Sequence, residues 1–127
     1  MTIALARADR LSAARYALIG ELSRNASWVQ TLELPADAAS VSISGQTVKI
    51  TFRVPQDDTV TALSISTTDS QITIVDADTL TIAATPADMS ALLNDYYYVD
   101  LASEDGSNVV TLWATGVVFI RESPIAF

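Results

Sequence analysis

From Ser27 onward the apolar positions recur every second residue. Trp28, Gln30, Leu32 and Leu34 fall on one face of an expected strand, which Pro35 and Asp37 bring to an end. After a turn at Ser44-Gly45-Gln46, Val48, Ile50 and Phe52 alternate with Thr47, Lys49, Thr51 and Arg53, and Pro55 closes that strand. Three short strands follow around Leu63 and Ile65, Ile72 and Ile74, and Leu80 and Ile82, divided by turn-forming residues at 67–70 and 76–78. Thr85-Pro86-Ala87-Asp88 reads as a helix start, with a capping hydroxyl, a proline in the first turn and an acid near the positive end of the helix dipole. The helix is expected to run one or two turns through Met89, Leu92 and Leu93 and to cross between sheets.

The strongest local signal lies between Asp95 and Phe119, where two apolar strands flank a turn built on Asp105-Gly106. On the first strand Tyr96, Tyr98 and Asp100 alternate with Tyr97, Val99 and Leu101. On the second, Gly116 is the expected bulge. About seven strands with one short crossover helix predict an antiparallel, immunoglobulin-like β-sandwich.

Residues 3–22 carry a different pattern. Leu11, Arg15, Leu18 and Leu22 recur at helical spacing among good helix formers, while Gly20 interrupts them, so either part of 3–22 is helix, or a short helix over 9–15 leads into a strand or extended arm over 16–22. The predicted organisation is therefore an N-terminal arm over 1–23, a sandwich domain over 24–121 and a C-terminal tail over 122–127.

Charge sharpens this division. Up to Arg24 four arginines face two acids, whereas the remainder holds three basic and thirteen acidic side chains, placing a +2 arm before a −10 body. An acidic body argues against nucleic acid as a partner. The arm suggests docking contacts through Arg7, Arg10, Leu11, Arg15, Leu18 and Leu22, and the apolar tail adds Ile125 and Phe127 as anchors. No 18-residue apolar run is present for a membrane helix, and Arg7, Asp9, Arg10 and Arg15 break the apolar core that a signal peptide needs. The expectation is a soluble protein made in the cytoplasm.

The chain has no histidine and no cysteine, which removes the commonest general base, the commonest metal ligand and all thiol chemistry. Phosphate-binding glycine loops are absent as well. The acids at Asp57-Asp58, Asp76-Asp78 and Glu104-Asp105 read as solvated turns, with calcium at Asp76 and Asp78 as the other reading. No cofactor, metal or catalytic residue is predicted. Tyr96, Tyr97 and Tyr98 with Trp113 raise the question of a sugar platform, but alternation prevents the three tyrosines from sharing one side. Tyr97 is taken as the outward ring available to a partner, Tyr98 as the candidate for a hydroxyl bond at the strand corner, and Trp28 as core. Asn25-Ala26-Ser27 fits a glycosylation acceptor that would matter only in a eukaryotic secretory route.

Taken in order, RNASWVQTLEL, SGQTVKITFR, LSISTTDSQITIVDADTLTIAAT, PADMSALLNDYYYVDL and EDGSNVVTLWATGVVFI resemble a β-sandwich module of tailed-bacteriophage virion proteins. Such modules occur at tail-fibre roots and in baseplate or minor tail proteins. The resemblance covers 24–120, and it departs from the family at Asn25-Ala26, where Gly-Asp often follows the arginine. It implies a non-enzymatic structural role in a virion, with other virion proteins and further copies of the chain as partners, and it carries over no catalytic residue. A capsid-decorating or neck protein is the close variant, and a carbohydrate- or receptor-binding module is the alternative of a different class.

Overall fold

The computed structural model describes residues 2–7, 16–34 and 42–122, and for Ala6 and Arg7 the backbone alone. Nine strands and one short helix follow in the order β1 (Ile3–Arg7), β2 (Tyr16–Ser23), β3 (Trp28–Glu33), β4 (Thr47–Val54), β5 (Asp57–Ser66), β6 (Ile72–Ile74), β7 (Thr79–Ala84), α1 (Pro86–Met89), β8 (Tyr96–Glu104) and β9 (Val110–Arg121). They form two sheets, a six-stranded one in the order β1-β2-β9-β8-β4-β5 and a three-stranded one in the order β3-β7-β6. Every pairing is antiparallel except β2 with β9, which run parallel from Tyr16 opposite Ala114 to Ser23 opposite Arg121. This is the immunoglobulin-like β-sandwich the alternation predicts, with strands in excess of the expected seven.

The two additional strands are β1 and β2. Over 16–23 the helix option is wrong, and the segment is not a projecting arm: Tyr16, Leu18 and Leu22 point into the core. Leu18 and Leu22 satisfy a period of four and a period of two equally, so their spacing did not discriminate. The open edge of β9 decides the matter by offering a full ladder of hydrogen bonds. Gln30 then ties β1 to the opposite sheet. Its Oε1 accepts hydrogen bonds from the Ile3 amide (3.1 Å) and the Trp28 indole (3.0 Å), and its Nε2 donates to the Ile3 carbonyl (2.9 Å).

Between the sheets the core is aromatic at its centre. Trp28 of β3 meets Phe52 of β4 edge to face at 6.1 Å, and Phe52 meets Tyr97 of β8 the same way at 6.3 Å. All three are buried. They join the two layers by packing alone, since a chain without cysteine can form no disulfide. The tyrosine corner belongs to Tyr97, one residue before the expected Tyr98: its hydroxyl accepts a hydrogen bond from the Asn94 amide at 2.9 Å.

The closing hairpin differs in two details. The Asp105 carboxylate accepts from the amides of Ser107 (2.8 Å) and Val109 (3.0 Å), and Asn108 supplies the left-handed φ of 63° while Gly106 stays outside that region. The bulge falls between Leu101 and Ala102, opposite Trp113, and Gly116 serves a close approach to β2 instead.

Helix α1 spans only Pro86–Met89 and links the smaller sheet to the larger, as expected of a crossover. Thr85 accepts from the Asp88 amide (3.1 Å) and Asp88 accepts from the Thr85 amide (3.0 Å), a complete capping box. The Thr85 amide is the main reason the Asp88 carboxyl is held below the usual carboxylate range, with desolvation opposing it and the Thr85 hydroxyl adding to it. A folded-state pKa below the unfolded one gives stability that is present above the unfolded value, about 4, and is lost as pH falls through the folded value. Asp88→Asn should therefore be less stable than the wild type at pH 7, by under about 1 kcal/mol because the site is solvated. The gap should close below about pH 4 in urea titrations.

After α1 the chain leaves three carbonyls in a row, and Arg24 gathers them. Its Nε donates to the Leu92 carbonyl (2.9 Å), and one terminal nitrogen donates to the carbonyls of Leu93 and Asn94 (3.2 Å each). This pins the turn between β2 and β3 to the turn before β8. Arg24→Ala is expected to lower unfolding free energy by about 1–2 kcal/mol. Arg24→Lys should recover only part of it, because one ammonium cannot reproduce the fork.

Candidate functional site

Side chains alternate across the larger sheet, so its outer face can be read from the register. Tyr96, Tyr98 and Asp100 of β8 lie opposite Phe119, Val117 and Thr115 of β9, and Arg53 of β4 lies opposite Tyr98. Through the parallel pair, Ile19 and Glu21 of β2 join Val117 and Phe119 on the same face, and Ala4 of β1 lies beside Ile19. Ile19 is 60% exposed, Phe119 50% and Tyr96 39%. These large apolar side chains are neighbours, and contiguous exposed apolar surface of this kind marks contact sites.

A fixed polar network borders the patch. Arg53 makes a two-pronged bond to Asp100, with Nε to Oδ2 at 2.7 Å and a terminal nitrogen to Oδ1 at 3.2 Å. Thr115 donates to the same Oδ1 at 2.7 Å, and Asp58 stands 3.7 Å from the other guanidinium nitrogen. The Arg53 guanidinium also lies over the Tyr98 ring, 5.9 Å from its centroid. Tyr96 in turn packs against Tyr98 at 6.2 Å and against Phe119 at 6.3 Å. The rings are thus held in place before any partner arrives, which lowers the entropic cost of contact. At the other end Glu21 and Arg121 form an ion pair beside a shallow groove of about 520 Å³ floored by Ala4 and Gly20.

The anticipated contact residues fall elsewhere. Leu18 and Leu22 are core, and so is Tyr97, which carries the outward role in the sequence reading but points inward against Phe52. The parity is inverted because Val99 and Leu101 share the face of Tyr97, while Asp100 shares that of Tyr96 and Tyr98. Asp100 was the available signal: a carboxylate seeks the outer face and takes its strand neighbours two residues away with it. Arg7 pairs through its backbone with Tyr16. Arg10, Leu11, Arg15, Ile125 and Phe127 lie outside the described residues. The second missed signal is the run Val117-Val118-Phe119-Ile120, where apolar residues occupy both parities and must leave some of them outside.

Among the described residues no group of three or more acidic side chains is gathered around one point. Asp57 is held below the usual carboxylate range by the Thr59 hydroxyl and then the Thr59 amide. Asp76 is lowered by its hydrogen bonding with Asp78, side chain first and amide second, with a smaller contribution from Thr79. Both are ionised near neutrality, so neither is a proton donor there. Among the described residues no helix is long and apolar enough to cross a membrane.

No family model matches the chain, and no curated protein does. Among solved structures it is similar to Drosophila OTK, extracellular domains 3-5, at 12% identity and a TM-score of 0.36, over 82% of this chain and 33% of that one. This chain spans about a third of that structure's length. At such identity and score the likeness adds nothing to the geometry.

Proposed function

We propose that this chain is a non-enzymatic structural protein of a bacteriophage virion, acting through protein–protein contacts in tail, baseplate or fibre-attachment assembly. The observation that carries the contact role is the outer face of the larger sheet, where Ile19, Phe119 and Tyr96 stand exposed beside an ordered Arg53–Asp100 network. The virion setting rests on the resemblance over 24–120. A capsid-decorating or neck position would use the same face. A sugar platform is disfavoured, because the Tyr98 ring already carries the Arg53 guanidinium and Tyr96 is set edge-on to Tyr98. The test is to purify particles from a lysed culture whose phage encodes this chain and to quantify the chain by mass spectrometry in separated heads and tails. Several copies per particle in the tail fraction are expected. Particles without it would overturn the reading.

A further inference from the structure

The outer face of the larger sheet has features that suit a partner with the same surface. We propose that it is a two-fold interface between two copies of this chain, packed sheet to sheet; the inference rests on reading that face as a contact surface.

Charge is the first argument. The chain carries a net charge of −8, so two copies repel over most approaches. On this face Glu21 is paired with Arg121, and Asp100 and Asp58 share Arg53. Two copies meeting here bring together acids that already hold basic partners, which lowers the repulsion between them.

Shape is the second argument. The groove floored by Ala4 and Gly20 runs alongside the protruding ring of Phe119. A hollow next to a projection on one surface is self-complementary under a two-fold rotation, since each ring meets the other copy's hollow. Gly20 cannot be replaced without meeting the backbone of β1: an added Cβ would lie 2.4 Å from the Thr2 carbonyl oxygen and 2.6 Å from the Ile3 Cα.

Area is the third. Six strands at about 4.8 Å spacing and eight residues at about 3.3 Å each give a flat footprint of about 750 Å². A stable interface buries about 600–1,000 Å² per partner, and the face falls within that range. The smaller sheet, with three strands, offers roughly half that width.

The experiment is light scattering and sedimentation on the full chain at 1–100 µM (about the range where weak dimers resolve), with two substitutions. Ile19→Lys alters the face while reducing the net negative charge, so any dissociation cannot come from added long-range repulsion. Val29→Lys makes the same change at a 75% exposed position on the outer side of the smaller sheet. The expected result is a wild type of twice the 13.5 kDa chain mass, an Ile19→Lys variant weakened about 30-fold or more, and an unaffected Val29→Lys. Melting temperature should rise with concentration for the wild type and Val29→Lys but not for Ile19→Lys. If Ile19→Lys fails to fold, Phe119→Lys is read in its place. A monomeric wild type overturns the two-fold pairing, and so does dissociation by Val29→Lys with Ile19→Lys intact. Neither result bears on whether the chain is found in particles, so the two proposals fail separately.

Discussion

Replacing Gly116 with alanine is expected to separate β2 from β9 and to cost about 3–6 kcal/mol of stability, the sum of exposing Leu18 and Leu22 at about 1.5–3 kcal/mol each. The reason is geometric. A Cβ on Gly116 would sit 1.7 Å from the Leu18 carbonyl oxygen and 2.6 Å from the Leu18 carbonyl carbon, and both belong to the backbone of the paired strand. A flexible side chain could swing aside, but a backbone held by eight consecutive register pairs cannot. The parallel ladder must open, and with it β1, which pairs with β2. Urea unfolding should show the loss in midpoint, and hydrogen exchange should locate it. Amides of 16–23 should lose far more protection than those of 47–54, whose partners β5 and β8 are untouched. A Gly116→Ala protein with wild-type stability and wild-type exchange over 16–23 would rule out the close approach.

Phe52→Ala should cost a comparable amount, about 3–5 kcal/mol, by a different mechanism. Phe52 is fully buried at the centre of β4 and touches the rings of both Trp28 and Tyr97, so it joins the two layers. Truncation removes its transfer free energy and leaves a cavity walled by two large rigid rings that cannot collapse into it. Against a total stability of about 5–15 kcal/mol, the variant is expected to be marginal at 37 °C. A cycle pairing Phe52→Leu with Trp28→Leu should give a coupling of about 0.5–1.5 kcal/mol for the edge-to-face contact. Additivity of the two single changes would show that the rings contribute only by filling volume.

Both sites illustrate how far the residue pattern reached. Phe52 was legible as core because Val48 and Ile50 share its parity and Thr51 and Arg53 take the other. Gly116 was legible as a special position in its strand, but its purpose was not, because the strand it accommodates lies almost a hundred residues earlier in the chain. The same limit governs the contact face. Ile19 and Phe119 are ordinary apolar residues in their own strands, and only the parallel register between β2 and β9 sets them side by side.

The alternation of the chain by itself determined the sandwich class, the strands around Trp28, Phe52 and Leu80, the Thr85 cap and the absence of histidine and cysteine chemistry. These properties are local: each is set by side-chain period, by capping geometry or by which functional groups exist at all. Tertiary structure decided that 16–23 is strand, that Tyr97 turns inward while Tyr96 and Tyr98 turn out, and that Arg53, Asp100 and Thr115 meet on one face. Those outcomes depend on which sheet edge was open, which ring found Phe52, and which strands became neighbours. Pairings between residues far apart in sequence are selected by the whole set of competing contacts, and no single segment carries that information.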